Sequence, residues 1–346
     1  MLIRQWYAGG WLAQGLRPIG ALYGLVMRMR RLYYTHCNKK RASSIASLVV
    51  GNLTVGGSGK TPLVLAITQH LGQRGWHPAI ISRGYRAQAP HFPYAVQPQD
   101  SPDQAGDEPL FMALSSRVPV IIGPDRHADM ALAAARQCDI AVLDDGYQHL
   151  ALQPDLSFVV MDGERGFGNA YCLPAGPLRE PVSALVAVDA IIIHGAAVDV
   201  SPTTAPITRN DTGNHVHGKI SFNMLLRPTA LAPLNERDSP QDLAWLGGTR
   251  VHAVAGIGYP QRFFKQLEAL GAQVIPHPFP DHHVVSPQDF AHLHDTPIVM
   301  TAKDAVKCRH FALENAWVLH VEAQLDEAFW PWLDQQLQRI KEAREH

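Results

Sequence analysis

The first 99 residues contain no aspartate and no glutamate. Over that stretch there are twelve lysines and arginines, while the rest of the chain carries 18 basic residues against 31 acidic ones. A net charge of −1 over 346 residues therefore hides a positively charged N-terminal third. Such an imbalance predicts an anionic partner, either a membrane surface or a phosphorylated substrate, and no nucleic acid is expected. Cysteine is scarce as well. Cys37, Cys138, Cys172 and Cys308 are far apart and form no C-x-x-C pair, which excludes a zinc knuckle or disulfide framework and predicts a reducing cytosol. Charged residues make up 18% of the chain, below the usual level of about 25%.

Long apolar runs are missing from the N-terminal segment. Within residues 1–35 the longest stretch free of charge and proline is 19–27, well short of the roughly 20 residues that cross a bilayer. Arg17-Pro18 also breaks any signal-peptide core. What the segment does contain is Trp6, Tyr7, Trp11, Tyr23, Tyr33 and Tyr34 interleaved with arginines. That pattern predicts one or two amphipathic helices suited to an anionic leaflet, or a helical hairpin packed on the protein itself.

Prolines (26) and glycines (27) are spread along the chain, which fits many turns and no disordered tract. From residue 43 the texture changes. Apolar runs at 47–50, 79–82, 118–122, 140–143, 158–161 and 190–194 alternate with helical patterns at 61–71, 108–115 and 128–137. Continuous apolar strands between helices predict a parallel sheet covered on both faces. Residues 195–245 read as a connection with an extended segment near 217–226. A second α/β unit follows, with strands at 251–255, 273–276 and 298–301 and helices at 261–270 and 326–343. The expected organisation is an N-terminal helical segment (1–40), a P-loop NTPase-like core (41–215), an extended linker (216–240) and a smaller α/β domain (241–346).

The strongest motif is Gly51-Asn-Leu-Thr-Val-Gly-Gly-Ser-Gly-Lys60-Thr61. It follows an apolar strand and opens a helix, the setting of a P-loop. Asn52, Thr54, Gly56, Gly57, Ser58, Gly59, Lys60 and Thr61 would cradle the phosphates of ATP. Backbone N–H groups and the helix N-terminus attract the anion, Lys60 reaches the β- and γ-phosphates and Thr61 holds Mg²⁺. Thr54 stands where the general pattern has glycine.

Downstream, Asp139-Ile-Ala-Val-Leu-Asp144-Asp145-Gly146 reads as a Walker B strand whose terminal acids approach Mg²⁺. Gly106-Asp107-Glu108-Pro109 reads either as a site or as a helix start capped by Asp107. In Gly176-Pro-Leu-Arg179-Glu180, Arg179 is a candidate phosphate contact and Glu180 a candidate metal ligand. In Asp281-His282-His283, no third zinc ligand is suitably spaced, and an Asp–His pair could orient or help deprotonate a nucleophile. Thr301-Ala-Lys303-Asp304 has the residue types of a guanine-binding motif in the wrong order. Two alternatives are another P-loop NTPase, such as a small-molecule kinase or a GTPase-like protein, and a membrane-bound ATP-binding regulator. The regulator would have no need of Asp107 or His282.

Together these strings resemble the tetraacyldisaccharide 4′-kinase family of the lipid A pathway. The segments that carry the likeness are 51–62, 82–85, 106–110, 144–149, 174–180, 256–260, 281–283 and 301–307. The Thr54 departure is that family's own form. The resemblance implies transfer of a phosphoryl group from ATP, with Mg²⁺, to the 4′-hydroxyl of a tetraacylated glucosamine disaccharide 1-phosphate. It implies work at the cytoplasmic face of the bacterial inner membrane, as a peripheral or monotopic protein. By position, Asp107 matches the family's catalytic base and His282 its partner, while Asp144, Asp145 and Glu180 match the acidic Mg²⁺-site residues. Arg83 and Arg179 are the expected substrate contacts.

Overall fold

The computed structural model describes residues 5–7, 10–37, 41–195, 219–235, 239–281, 283–293 and 295–345. They form two compact units, each assembled from separate stretches of chain. The first comprises residues 1–83, 123–225 and 323–346, and the second 84–122 and 226–322.

In the first unit the helices α1 (Trp11–Gly15) and α2 (Arg17–His36) precede a parallel sheet. The strands are β1 (Ala46–Gly51), β2 (Pro78–Ser82) and, further along the chain, Ile140–Asp144, Leu156–Asp162, Ala190–His194 and the start of Ile220–Pro233. Between them run α3 (Lys60–Gln73) and Arg126–Ala135. In chain order through the second unit's first stretch, α4 is Asp107–Ser116, β3 is Val120–Ile122 and α5 is Arg126–Ala135. The later strands are then β4 (Ile140–Asp144), β5 (Leu156–Asp162), β6 (Ala190–His194) and β7 (Ile220–Pro233).

The first unit's strands lie in the order β7-β6-β5-β1-β4-β2, every pair parallel. Strands β1, β2, β4, β5 and β6 are buried along their whole length. This is why they read as unbroken apolar runs and not as an alternation. The order reverses direction at β1, with β4 on one side and β5 on the other. In open α/β sheets, ligands bind beyond the carboxyl ends of the strands at such a switch point.

The second unit holds β8 (Arg250–Ala255), α6 (Pro260–Ala269), β9 (Gln273–Pro278), β10 (Ile298–Thr301), α7 (Ala302–Cys308) and β11 (Ala316–Leu325). Its strands run β9-β8-β10-β11, again all parallel. Leu246, Val251, Phe263, Leu267, Val299 and Trp317 share one buried core cluster.

The units divide the chain differently from boundaries at 41–215 and 241–346. Residues 84–122 join the second unit because Arg309 donates to the carbonyls of Pro98 and Asp100, and lysines of α7 pair with acids of α4. The C-terminal helix α8 (Phe329–Glu345) joins the first. Phe329 packs edge-on against Phe158 and Phe222 at centroid distances of 5.9 and 5.2 Å, and Asp334 pairs with His70 and Arg74. The expected linker at 216–240 is largely strand β7. Residues 216–218 and 236–238 lie outside the described residues. No described helix is long and apolar enough to cross a membrane.

Candidate active site

The loop between β1 and α3 follows the central strand of the first unit. Its conformation depends on two glycines at positive φ, Gly56 at +103° and Gly59 at +91°, a region that side chains with a Cβ seldom enter. Asn52, fully buried, donates from its side-chain amide to the carbonyls of Thr54 (2.6 Å) and Gly56 (3.4 Å). Those bonds close the first turn, which is how Thr54 serves without a glycine there. Gly59 is the N-cap of α3, and no side chain caps that helix. Its first-turn N–H groups are open to an anion. The hydroxyl of Ser58 is buried and has no hydrogen-bond partner among the described residues.

Three charged side chains meet beside this loop. Lys60 Nζ stands 3.3 Å from Asp145 Oδ1, and Arg179 Nη1 donates to both oxygens of the same carboxylate at 3.1 and 2.9 Å. Burial alone would raise the Asp145 pKa. Lys60 and then Arg179 outweigh it and hold the carboxyl at about 2. Asp145 directly follows β4 and has φ +52°, a left-handed conformation that aspartate adopts more readily than most residues. Arg179 is brought in by a short antiparallel run against the loop. Its own N–H donates to Leu53 O at 2.7 Å, and Val55 N–H donates to Pro177 O at 2.9 Å. Gln148 donates to Asn52 O at 2.9 Å and lies 3.5 Å from Arg179 Nη1. Gln148 belongs to the 144–149 segment, but its role was not legible there.

Other expected residues fall differently. Asp144 ends β4 and is 1% exposed, and Thr61 stands in the first turn of α3. Glu180, expected among the metal-site acids, is also 1% exposed, and its Oε2 pairs with Arg31 Nη2 of α2 at 2.8 Å. Arg83 follows β2 and is exposed. Among the described residues no three acids, histidines or cysteines converge on a metal position.

Asp107 lies in the second unit, as do Asp281 and His283; His282 itself lies outside the described residues. Asp107 thus groups with the second unit and not with the rest of the 41–215 core. Nor is Asp107 a helix cap: Gly106, at φ +84°, is the N-cap of α4 and Asp107 its first residue. Lys307 Nζ is 3.6 Å from Asp107 Oδ2 and 3.2 Å from Asp304 Oδ1. Asp304 in turn accepts from Gly256 N–H at 2.9 Å and Thr301 Oγ1 at 2.6 Å. Lys303 Nζ joins Glu108 (2.8 Å) to Asp281 (3.2 Å). Burial opposes the Lys303 charge, but Glu108 and Asp281 raise its pKa. The segment that looked like a scrambled guanine motif thus ties α7 to the first turn of α4.

The sequence profile of the family "Tetraacyldisaccharide-1-P 4′-kinase" (LpxK) matches residues 12–338. This chain belongs to that family. A tetraacyldisaccharide 4′-kinase of Acidithiobacillus ferrooxidans is 49% identical over 338 residues, covering 97% of each chain. One of Pseudomonas putida is 44% identical, covering 98% of this chain and 97% of its own. Among solved structures, LpxK from Aquifex aeolicus in complex with ATP matches with a TM-score of 0.76 and 28% identity, covering 95% of this chain and 99% of that one.

Proposed function

We propose that this chain transfers the γ-phosphoryl group of ATP to the 4′-hydroxyl of a tetraacylated glucosamine disaccharide 1-phosphate. The observation that carries this reading is the family match across nearly the whole chain, and the geometry beside the 51–59 loop agrees with it. The loop is then a P-loop. Its glycines and the uncapped start of α3 receive the phosphates, Lys60 offsets charge that grows during transfer, and Arg179 supplies a second cation. Both cations meet at the Asp145 carboxylate. Thr61, Asp144 and Asp145 are the residues that would hold Mg²⁺, which neutralises phosphate charge when bound. Glu180, engaged by Arg31, is placed to anchor α2.

Asp107 is assigned as the base that takes the proton of the acceptor hydroxyl, with His282 orienting it. The support is local. Lys303 draws Asp281 to Glu108, and these are the chain neighbours of His282 and Asp107. Residues 1–35 are assigned to the cytoplasmic face of the inner membrane. Helix α2 buries only Gly20 and Gly24. A Cβ at Gly20 would come 2.7 Å from that of Ala175, so the helix seats closely on the 172–181 segment through this face. It leaves Ile19, Leu22, Leu25, Met29 and Leu32 exposed among arginines. An apolar stripe with basic flanks is what an anionic leaflet accepts.

The test is to incubate purified protein with ATP, Mg²⁺ and the disaccharide 1-phosphate and read the product by mass spectrometry. A mass gain of one phosphoryl group on the distal sugar is expected. ATP hydrolysis that is indifferent to the acceptor would point to another P-loop NTPase, and ATP binding without turnover to a regulator.

A further inference from the structure

Beneath the glycine-rich loop lies a histidine that none of the sequence motifs includes. His194 ends β6 and is 3% exposed. Its place is set by the sheet and not by a loop. It is the register partner of Asp162 at the end of β5, and its carbonyl accepts from Gly163 N–H at 2.8 Å. Its ring nitrogen Nδ1 lies 2.9 Å from the carbonyl oxygen of Ser58. A carbonyl only accepts, so Nδ1 carries the proton. The ring also fills the space a side chain at position 59 would need: a Cβ on Gly59 would come 2.7 Å from Nδ1 and 3.1 Å from Cε1. Glycine is therefore required at 59 twice over, by its φ of +91° and by the imidazole beneath it.

The peptide joining Ser58 to Gly59 is trans, so its C=O and N–H point to opposite sides. With the carbonyl held by His194, the Gly59 N–H is turned to the side away from that ring. Glycine's permissive backbone makes the reverse orientation of this peptide accessible too. In that orientation carbonyl lone pairs would face the anion and repel it.

We propose that His194 is a positioning residue for the nucleotide: by donating to the Ser58 carbonyl it fixes the 58–59 peptide so that Gly59 N–H is presented to the phosphates of a nucleoside triphosphate. This rests on the nucleotide reading of the loop and adds a residue that acts on the loop from behind, through the backbone.

The experiment is ATP titration by calorimetry, with steady-state kinetics on the lipid acceptor, for the full chain and two variants. His194→Leu removes the donor. His194→Asn places an amide nitrogen near the Nδ1 position and restores it. Loss of one well-placed donor corresponds to about tenfold. His194→Leu is expected to raise the ATP Kd by about that factor or more while leaving the acceptor KM within about twofold, and His194→Asn to recover most of the affinity. Wild-type affinity in a folded His194→Leu protein would overturn the proposal, as would an asparagine variant no better than leucine. Should His194→Leu fail to fold, His194→Gln, whose nitrogen lies nearer the Nε2 position, takes its place. Weak binding by glutamine beside tight binding by asparagine supports the assignment, and the reverse order overturns it. Absence of ATP binding by the unsubstituted chain would instead remove the nucleotide reading itself.

Discussion

Arg31 Nη2 lies 2.8 Å from Glu180 Oε2, and the same guanidinium sits over the ring of Tyr147 with its carbon 4.7 Å from the ring centre. The pair links a helix of the basic N-terminal segment to the residue next to Arg179, which holds Asp145. Glu180 is almost completely buried, and its other oxygen has no hydrogen-bond partner among the described residues. Removing the cation leaves a buried carboxylate unpaired, which typically costs about 3–5 kcal/mol. Arg31→Ala should therefore lower stability by about 3 kcal/mol or more in urea unfolding of detergent-solubilised protein. Arg31→Met with Glu180→Gln should cost much less, because no charge is then left buried. Equal losses in the two proteins would mean that the pair is not what seats α2.

Membrane attachment has to be tested without disturbing that pair, so deletion of residues 1–35 is a poor probe. Replacing Leu22, Leu25, Met29 and Leu32, all exposed, with serine changes the outer stripe and leaves the Gly20–Gly24 face alone. Binding to vesicles containing anionic lipid should fall at least tenfold, while the melting temperature moves by no more than a degree or two. Raised salt should weaken binding of the unsubstituted chain, because each cation near an anionic surface contributes about 1 kcal/mol that ions screen. Equal binding to neutral and anionic vesicles would remove the electrostatic part of the assignment.

The buried parallel strands of the first unit were legible because such strands are written as unbroken apolar runs. The runs at 140–143 and 190–194 fall within β4 and β6. Strand β11 went unread. Its second half alternates buried or half-buried positions with His320, Glu322 and Gln324, a weaker pattern next to the helical signal that follows. The glycine-rich loop and the pairing of acids with the strand end after β4 were likewise legible, since each rests on residues adjacent in sequence. The partners of Glu180 and Asp107 were not. Arg31 is 149 positions from Glu180, and Lys307 lies 200 positions beyond Asp107. Only the way α2 and α7 pack makes those pairs, and local sequence does not encode it.

Lys60→Ala should reduce kcat/KM for ATP by at least about tenfold, or 1.4 kcal/mol, with the fold intact. Asp145 allows a second measurement that does not depend on turnover. Its folded pKa of about 2 lies below the value of about 3.9 for an unfolded chain. Its ionised form therefore contributes stability above about pH 4, and that contribution is lost as pH falls toward 2. Asn is the natural comparison, since it tolerates the left-handed φ of +52° at this position. The stability difference between the unsubstituted chain and Asp145→Asn should shrink between about pH 4 and pH 2 and be flat above it. A difference independent of pH would show that Lys60 and Arg179 do not hold the carboxylate as described.

Asp107 gives the most direct test of the acceptor chemistry. Because Gly106 is the N-cap of α4, Asp107→Asn leaves the cap residue in place, and the melting temperature should move little. If the carboxylate is the base, the same substitution should lower kcat about 10²-fold or more, with little change in the ATP Kd. Lys307 is held by Asp304, whose oxygens are fixed by Gly256 N–H and Thr301, so it presents a charge of fixed position 3.6 Å from Asp107. Lys307→Met should also lower kcat, but Asp107→Asn with Lys307→Met should be little worse than Asp107→Asn alone, since residues acting as one unit are not additive. The same cycle with His282→Ala asks whether residue 282 belongs to that unit. The readout is kcat with the lipid acceptor saturating. Fully additive losses would assign separate roles to the paired residues. A rate unaffected in Asp107→Asn would leave the carboxylate as a structural counter-charge to Lys307 and send the search for the base to Glu108 or Asp281, the two acids that Lys303 draws together.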